Sequence, residues 1–134
     1  MERRVQLVFL CLILGQAAHS VEEYITRLYA VFAPARLVSS LFSANLKTGF
    51  VVANVLLVSI GLLCWLLPVR LGWRGARGVV WFWTVLELGN GFGHSFFALS
   101  RWGYFPGVIT APFLLLFAGW LAALQLSEPQ AARP

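Results

Sequence analysis

Hydrophobic residues in this chain are gathered into four long runs, which shorter polar stretches separate. A helix needs about 20 mostly apolar residues to cross the hydrocarbon core of a bilayer, and each run comes close to that length. Glycine and proline inside the runs are tolerated in membrane helices. The pattern predicts an all-α fold, an integral membrane four-helix bundle forming one domain over residues 1–126, with spans at 5–26, 46–67, 79–99 and 105–126 and a polar tail at 127–134.

The ends of the first two runs carry further signals. Pro68 should close the second run, because proline cannot continue a helix. The first run, with charged residues at 2–4 before it and small residues around 15–18, is also typical of a signal peptide with a cleavage site. The three later runs favour a first span that is retained, and cleavage stays the alternative.

The segment between the first two runs carries apolar residues at helical spacing, with arginine and serine between them. These apolar residues are Leu37, Val38, Leu41 and Phe42. Such a pattern is typical of a short helix lying in the membrane interface. An irregular loop is the alternative that the pattern leaves open.

Composition and charge support a membrane protein. Hydrophobic residues make up 60% of the chain and charged residues 11%, against about 45–50% and about 25% in an ordinary soluble domain. The ten Lys and Arg are dispersed between the runs, so no nucleic acid partner is expected. The cluster Arg70, Arg74 and Arg77 favours a cytoplasmic loop and two cytoplasmic termini. The lack of a targeting sequence favours a bacterial plasma membrane.

Three ionisable residues follow one another near the end of the first run. His19, Glu22 and Glu23 form an H-x-x-E-E motif. Positions i, i+3 and i+4 share one helix face, so one imidazole and two carboxylates converge on one patch. Ionisable groups inside a membrane are costly, and they indicate a functional site by default. Exposure of this patch to water beyond a short first span is a simpler alternative.

The third run carries a matching stripe. Glu87, Asn90 and His94 are spaced i, i+3 and i+7, again on one face. The first and third spans run parallel, and at about 1.5 Å per residue His19 and His94 lie at nearly the same depth. Glu87 lies roughly 10 Å deeper. Side-by-side packing of these two helices would form one pocket in the leaflet far from the N-terminus, with Glu87 at its floor.

This set of side chains suits two kinds of chemistry. Imidazoles and carboxylates that converge from facing helices bind divalent metals such as zinc or iron. Without a metal, the same groups would act as general acid and base. A non-catalytic alternative is that they pair with one another and hold the bundle. The predicted metal ligands are His19, Glu22, Glu23 and His94, and the predicted catalytic set adds Asn90 and Glu87.

The connection into the fourth run contains a further motif. Tyr104 is typical of a membrane interface, and Pro106 suits a first helical turn. We expect Tyr104, Pro106, Gly107 and Thr110 to line the mouth of the pocket, with a simple anchored turn as the alternative. Pro112 predicts a kink in the fourth helix.

Two other polar or small-residue features lie inside the runs. Gly89 and Gly93 form a G-x-x-x-G pattern, which predicts close approach of another helix. Asn54, the only amide side chain in the second run, predicts either an interhelical hydrogen bond or a place in the pocket.

Together these motifs resemble the HXXEE-domain family of small integral membrane proteins. That family's pattern is H-x-x-E-E, a later histidine and Y-x-P-G. The resemblance implies an integral membrane protein with an enzymatic role, and it names no reaction. The matching positions here are His19, Glu22, Glu23, Asn90, His94, Tyr104, Pro106, Gly107 and Thr110.

Two weaker resemblances compete with this one. Glu22, Glu23 and Arg27 are similar to the first motif of the CAAX-type intramembrane proteases, but position 90 is Asn where those have Phe, and there is no third histidine. The four spans are also similar in architecture to the emopamil-binding sterol isomerases, which does not fix a function.

The leading hypothesis is therefore a membrane enzyme that acts on a lipid-soluble substrate. Metal-dependent hydrolysis and acid-base chemistry are its two candidate reactions. The alternatives are a non-catalytic membrane protein that holds its bundle or binds a partner, and a CAAX-protease-like peptidase. We expect membrane lipid to surround the protein. The sequence leaves the oligomeric state open.

Overall fold

The computed structural model describes residues 1–127, and within that range every regular element is a helix. The all-α prediction is therefore confirmed. The predicted polar tail begins inside the last helix at Ser127, and its other residues lie outside the described part of the chain. The helices are α1 (Arg3–Ile25), α2 (Leu28–Val31), α3 (Ala33–Phe42), α4 (Leu46–Cys64), α5 (Ala76–Ser100) and α6 (Ala111–Ser127).

The four long helices alternate in direction. The Trp65 indole donates to the Gln6 carbonyl at 2.9 Å, so the end of α4 lies beside the start of α1. Arg77 near the start of α5 donates to the carbonyl of Gln125 near the end of α6. Helix α6 packs against both α1 and α5 and runs antiparallel to them. Helices α1 and α5 are consequently parallel, which brings their two polar stripes to the same end of the bundle.

Apolar side chains fill the half of the bundle that contains the N-terminus. Val5, Phe9 and Leu12 of α1 are fully buried, together with Trp83 of α5 and Leu121 of α6. The rings of Phe9 and Trp83 meet edge to face with centroids 6.4 Å apart, a preferred aromatic geometry. This packed half leaves the polar residues of α1 and α5 at the opposite end.

Two helical segments, Arg3–Ile25 and Leu46–Val69, are long and apolar enough to cross a membrane. The second extends past Cys64 through a π-helical turn, Trp65–Val69. The expectation that Pro68 closes this helix is therefore wrong by one residue. Proline lacks an N–H, and the wider turn lets the Arg70 N–H pair with the Trp65 carbonyl at 2.9 Å instead.

Helix α6 is shorter than the hydrophobic run at 105–126 that predicted a fourth span, and it is below the length of the two segments that could cross a membrane. Residues 101–110 form turns, and α6 begins only at Ala111. Gly107 has a φ of +90°, which a helix cannot contain, so Pro106 lies in the turn and not in a first helical turn. Pro112 is instead the second residue of α6. Proline is accommodated in a first turn, so the predicted kink has no cause there.

The short helix predicted between the first two spans is present as α3. Its Ser39 is fully buried against Gly49 of α4. Leu37 and Leu41 are 65% and 74% exposed. The helix therefore packs closely along α4 at Ser39 and turns its apolar face outward.

The predicted G-x-x-x-G contact does not form. A Cβ on Gly89 or Gly93 would meet nothing within 4 Å. The close approach lies between them instead, because a Cβ on Gly91 would come within 2.7 Å of Leu115 in α6. The rotation of α5 that directs Glu87 and His94 inward also directs Gly91 toward α6.

We expect Gly49→Ala to destabilise the protein, since its new Cβ would collide with the Ser39 backbone carbonyl. Overpacking of this kind costs about 1–3 kcal/mol. The matched control is Gly89→Ala, which has open space and should be neutral or stabilise by up to about 1 kcal/mol through helix propensity. Thermal unfolding of both variants in detergent checks the difference. Equal melting temperatures would contradict the α3–α4 contact.

Candidate metal centre

Three buried side chains converge between α1 and α5, which do not pack closely on each other along their length. Glu23 Oε1 lies 3.3 Å from His19 Nε2 and 3.0 Å from His94 Nε2. The imidazole rings stand edge to face with centroids 4.7 Å apart. The equal depth predicted for the two histidines is therefore present. His19 and Glu23 are buried, so the alternative in which this patch is exposed to water is wrong for these two residues, whereas Glu22 is partly exposed.

The outer nitrogen of each imidazole is held by a hydrogen bond. His94 Nδ1 lies 2.5 Å from the Pro106 carbonyl oxygen, which can only accept, so this nitrogen donates. His19 Nδ1 lies 2.7 Å from Thr110 Oγ1. The Thr110 hydroxyl gives its own proton to a Glu22 carboxylate oxygen at 2.5 Å, so it accepts from His19. An imidazole that is neutral and held in this way directs an unprotonated Nε2 at Glu23.

Three acceptor atoms thus face one another in a buried place. His19 Nε2 is buried and has no hydrogen-bond partner among residues 1–127, since its contact with Glu23 lacks hydrogen-bond geometry. Unpaired acceptors at this spacing repel, and burial raises the cost. A cation between them removes that cost. The cation is either a second proton on one imidazole or a metal ion.

The spacing of these atoms fits a metal. The three candidate ligand atoms all lie within 4.8 Å of one another. Tetrahedral zinc with bonds of about 2.0–2.1 Å places its ligand atoms about 3.3 Å apart. Two imidazoles and one carboxylate form the ligand set of catalytic zinc sites and of non-haem iron sites. Hydrogen bonds from the outer imidazole nitrogens, as found here, orient such ligands.

Glu22 points away from this centre, although the motif places it beside Glu23. Its carboxylate accepts hydrogen bonds from the Tyr104 hydroxyl at 2.7 Å and from the backbone N–H groups of Ile109 and Thr110 at 3.1 and 2.8 Å. The structure therefore does not place Glu22 with His19, Glu23 and His94, although Glu22 was predicted to be a metal ligand with them. Instead it holds the turn before α6 and, through Thr110, the ring of His19.

Tyr104 is the exposed end of this contact. Partial burial and the hydrogen bond to Glu22 raise the pKa of Tyr104 above its ordinary value. Its hydroxyl accordingly stays protonated and keeps donating to the carboxylate across the neutral range.

The turn at residues 104–110 packs directly behind the two histidines. A Cβ on Gly107 would lie 2.6 Å from His94 Nδ1 and 2.7 Å from His19 Cε1, so only glycine fits there. Tyr104, Pro106, Gly107 and Thr110 do not line the neighbouring cleft. Their predicted place at the mouth of the pocket is therefore wrong, because the turn closes the opposite side of the centre.

A chain of hydrogen bonds links the polar residues of three helices. Asn90 donates to Glu87 at 3.3 Å and to Gln16 at 3.1 Å. Gln16 donates to Ser20, which donates to Asn54 of α4 at 2.7 Å. Sequence reasoning missed Gln16 and Ser20. Their signal was available, since they share a helix face with His19 and Glu23 at i, i+3, i+4 and i+7.

Glu87 lies at the inner end of this chain. It is fully buried, and its Oε1 has no hydrogen-bond partner within the described range. Its other oxygen accepts from Asn90. A carboxyl oxygen left free in a buried, otherwise satisfied network is available to a ligand or to a proton.

A cleft of about 590 Å³ connects these groups to the outside of the bundle. It opens between α4 and α5, and α3 closes one end. The walls are apolar, with Phe50 and Leu57 from α4 and Val85 and Leu86 from α5. The polar residues that line it are Gln16, Glu23, Asn54, Glu87, Asn90 and His94.

Comparison with known proteins identifies a family and no activity. The family described as "protein of unknown function with HXXEE motif" matches residues 10–121 of the chain. No curated protein and no solved structure matches this chain. The matched range contains every residue of the centre and of the turn behind it.

Proposed function

This chain belongs to the HXXEE family, and we propose that it is an integral membrane enzyme that binds a divalent metal at His19, Glu23 and His94 and hydrolyses a lipid-soluble substrate. The observation that carries the proposal is the convergence of three acceptor atoms whose outer partners are already satisfied. One added proton would pair Glu23 with a single imidazole, whereas a divalent metal would bond to all three atoms.

The proposal that the protein spans a membrane rests on the exposed apolar surface of the segment Leu46–Val69. Only 11% of the most apolar window of Leu46–Val69 is buried, so its apolar surface needs a partner. A helix of that length and composition with an outward apolar face suits lipid. The proposed topology has four spans and both termini in the cytoplasm, with the loop containing Arg70, Arg74 and Arg77 on the same side. The proposed location is a bacterial plasma membrane.

Each group of the centre has a separate part in the proposed hydrolysis. A divalent metal, when bound, polarises a carbonyl oxygen and lowers the pKa of water. His19, Glu23 and His94 would hold it, and Glu22 with Thr110 keeps the His19 ring in position. Glu87 lines the same cleft, where its free Oε1 would take up a proton, and Asn90 holds its other oxygen. The apolar walls keep bulk water away from the substrate.

Metal analysis of the detergent-purified chain tests this function. We expect about one zinc or iron per wild-type chain and loss of most of it in His94→Ala, which removes one ligand. Ser95→Ala is the matched control, because it removes only a hydrogen bond within α5 to the Gly91 carbonyl. Wild-type protein that stays substoichiometric after incubation with zinc or iron would refute the metal site.

The alternative of a polar cluster that only holds the bundle predicts a different result. In that case wild type and His94→Ala bind equally little metal, and His94→Ala melts several degrees lower than Ser95→Ala. The network from Asn54 to Glu87 is the observation that favours this alternative.

A further inference from the structure

We infer that the cleft between α4 and α5 binds an uncharged amphiphile, whose apolar chain lies between these helices and whose polar head reaches Glu23, Glu87 and His94. The inference rests on the proposed function and names its substrate class. It comes from the shape of the cleft, the sign of its charges and the distribution of polar atoms along it.

The shape of the cleft favours entry from the side of the bundle. Helices α4 and α5 do not pack closely on each other, and the cleft opens between them. Val85 of α5 is 62% exposed along this opening. The opposite side of the metal centre is closed by the turn that holds Gly107. A ligand therefore reaches the centre through the apolar side of the bundle. A lipid-soluble molecule dissolved in the bilayer would be in contact with that side.

The size of the cleft limits its occupant. A volume of about 590 Å³ falls within the range of about 300–1,000 Å³ that is usual for small-molecule sites. It suits one extended chain with a small head. A lipid with two chains and a large head would extend well beyond it.

The charges of the cleft select against anions. Its lining contains the carboxyl groups of Glu23 and Glu87 and, among residues 1–127, neither lysine nor arginine. Sites that recognise phosphate or carboxylate groups use arginine, lysine or clustered backbone N–H groups. An anionic head would lose its hydration here without a compensating partner, which is costly.

The polar residues that line the cleft lie at its inner end, where they would form hydrogen bonds with a head group. Glu87 Oε1 is unpartnered and can accept from a hydroxyl or amide of the ligand. Asn90 already donates to Gln16 and Glu87, which fixes the amide on this floor. An ester or amide with a neighbouring hydroxyl matches that arrangement, since it offers both a carbonyl and a donor.

Photolabelling of the full chain in lipid nanodiscs tests the inference. The probes are a diazirine-bearing hexadecyl glycerol ether, which is uncharged, and its phosphate ester with the same chain. We expect the uncharged probe to label α4 and α5 at cleft residues such as Leu57 and Leu86. The phosphate ester should label them at least about tenfold less, because desolvation of the anion is not repaid.

Two glycines of α5 provide the matched variants. Gly89 lines the cleft, Gly93 does not, and a Cβ at either would meet nothing within 4 Å. Gly89→Leu should fill the cleft and remove most labelling, whereas Gly93→Leu should label as wild type does. If Gly89→Leu lowers the yield of protein, Ala53→Leu on the opposite wall carries the same expectation.

Three outcomes would overturn the inference: equal labelling by both probes, full labelling of Gly89→Leu, or labels confined to the separate groove between α1 and α4 at Val51, Val55 and Val58. Metal content measured on the same samples separates the two proposals. Normal metal with no cleft labelling refutes the substrate class alone. Absent metal with cleft labelling refutes the metal site and retains the binding cleft.

Discussion

Replacement of Glu23 by Gln is expected to remove tightly bound metal from the purified protein, whereas the same replacement at Glu22 should leave a weakened site. Among residues 1–127, Glu23 is the only carboxylate between the two Nε2 atoms. Removal of one partner from a buried charge pair costs about 3–5 kcal/mol, which corresponds to more than a hundredfold in affinity. An amide keeps the shape of the side chain and loses its charge.

Glu22 acts on the same centre through other groups. It holds Thr110, and Thr110 accepts the Nδ1 proton of His19. Loss of such outer partners typically costs about 10–100-fold in metal affinity. Competition titrations against a fluorescent zinc chelator measure both variants under the same conditions. A larger loss in Glu22→Gln than in Glu23→Gln would contradict the assignment of these two adjacent carboxylates.

The second large effect is expected at Gly107. Its φ of +90° is unfavourable for any other residue, and a Cβ there would overlap both histidine rings. Gly107→Ala should therefore weaken metal binding strongly and lower the melting temperature. Neither ring can retreat, since each is held by its own hydrogen bond on the side of the turn.

Two control variants separate the causes of that effect. Gly72 has a φ of +67°, and a Cβ there would have only an ordinary contact with Met1 N at 3.8 Å. Gly72→Ala therefore reports backbone strain, more than about 0.4–1 kcal/mol. Gly103 lies near the same turn, and a Cβ there would have only an ordinary contact at 3.7 Å. Both controls should keep wild-type metal affinity. Unchanged affinity in Gly107→Ala would show that the turn does not position the histidines.

The depth of the polar residues could be predicted because a helix has a constant rise. His19 and His94 lie at similar distances from the starts of two parallel hydrophobic runs, and their rings meet in the structure. The helical periodicity also placed Glu87, Asn90 and His94 on one face. These predictions need only the geometry of a single helix and the direction of its neighbour.

The different roles of Glu22 and Glu23 could not be predicted in this way. Adjacent residues on a helix differ by about 100° in direction, and both carboxylates suit a metal equally well. Their roles separate only because α6 packs on one side of α1, bringing the turn at 104–110 to Glu22, while α5 brings His94 to Glu23.

The amino-acid sequence by itself determined an all-helical chain with two polar stripes at matching depth, since apolar run length and helical periodicity are local properties. Only the tertiary structure decided which carboxylate joins the histidines, that Gly91 and not Gly89 or Gly93 makes the close helix approach, and that the cleft opens between α4 and α5. These depend on how each helix is rotated about its axis. That rotation is set by packing among residues distant along the chain, which no local pattern records.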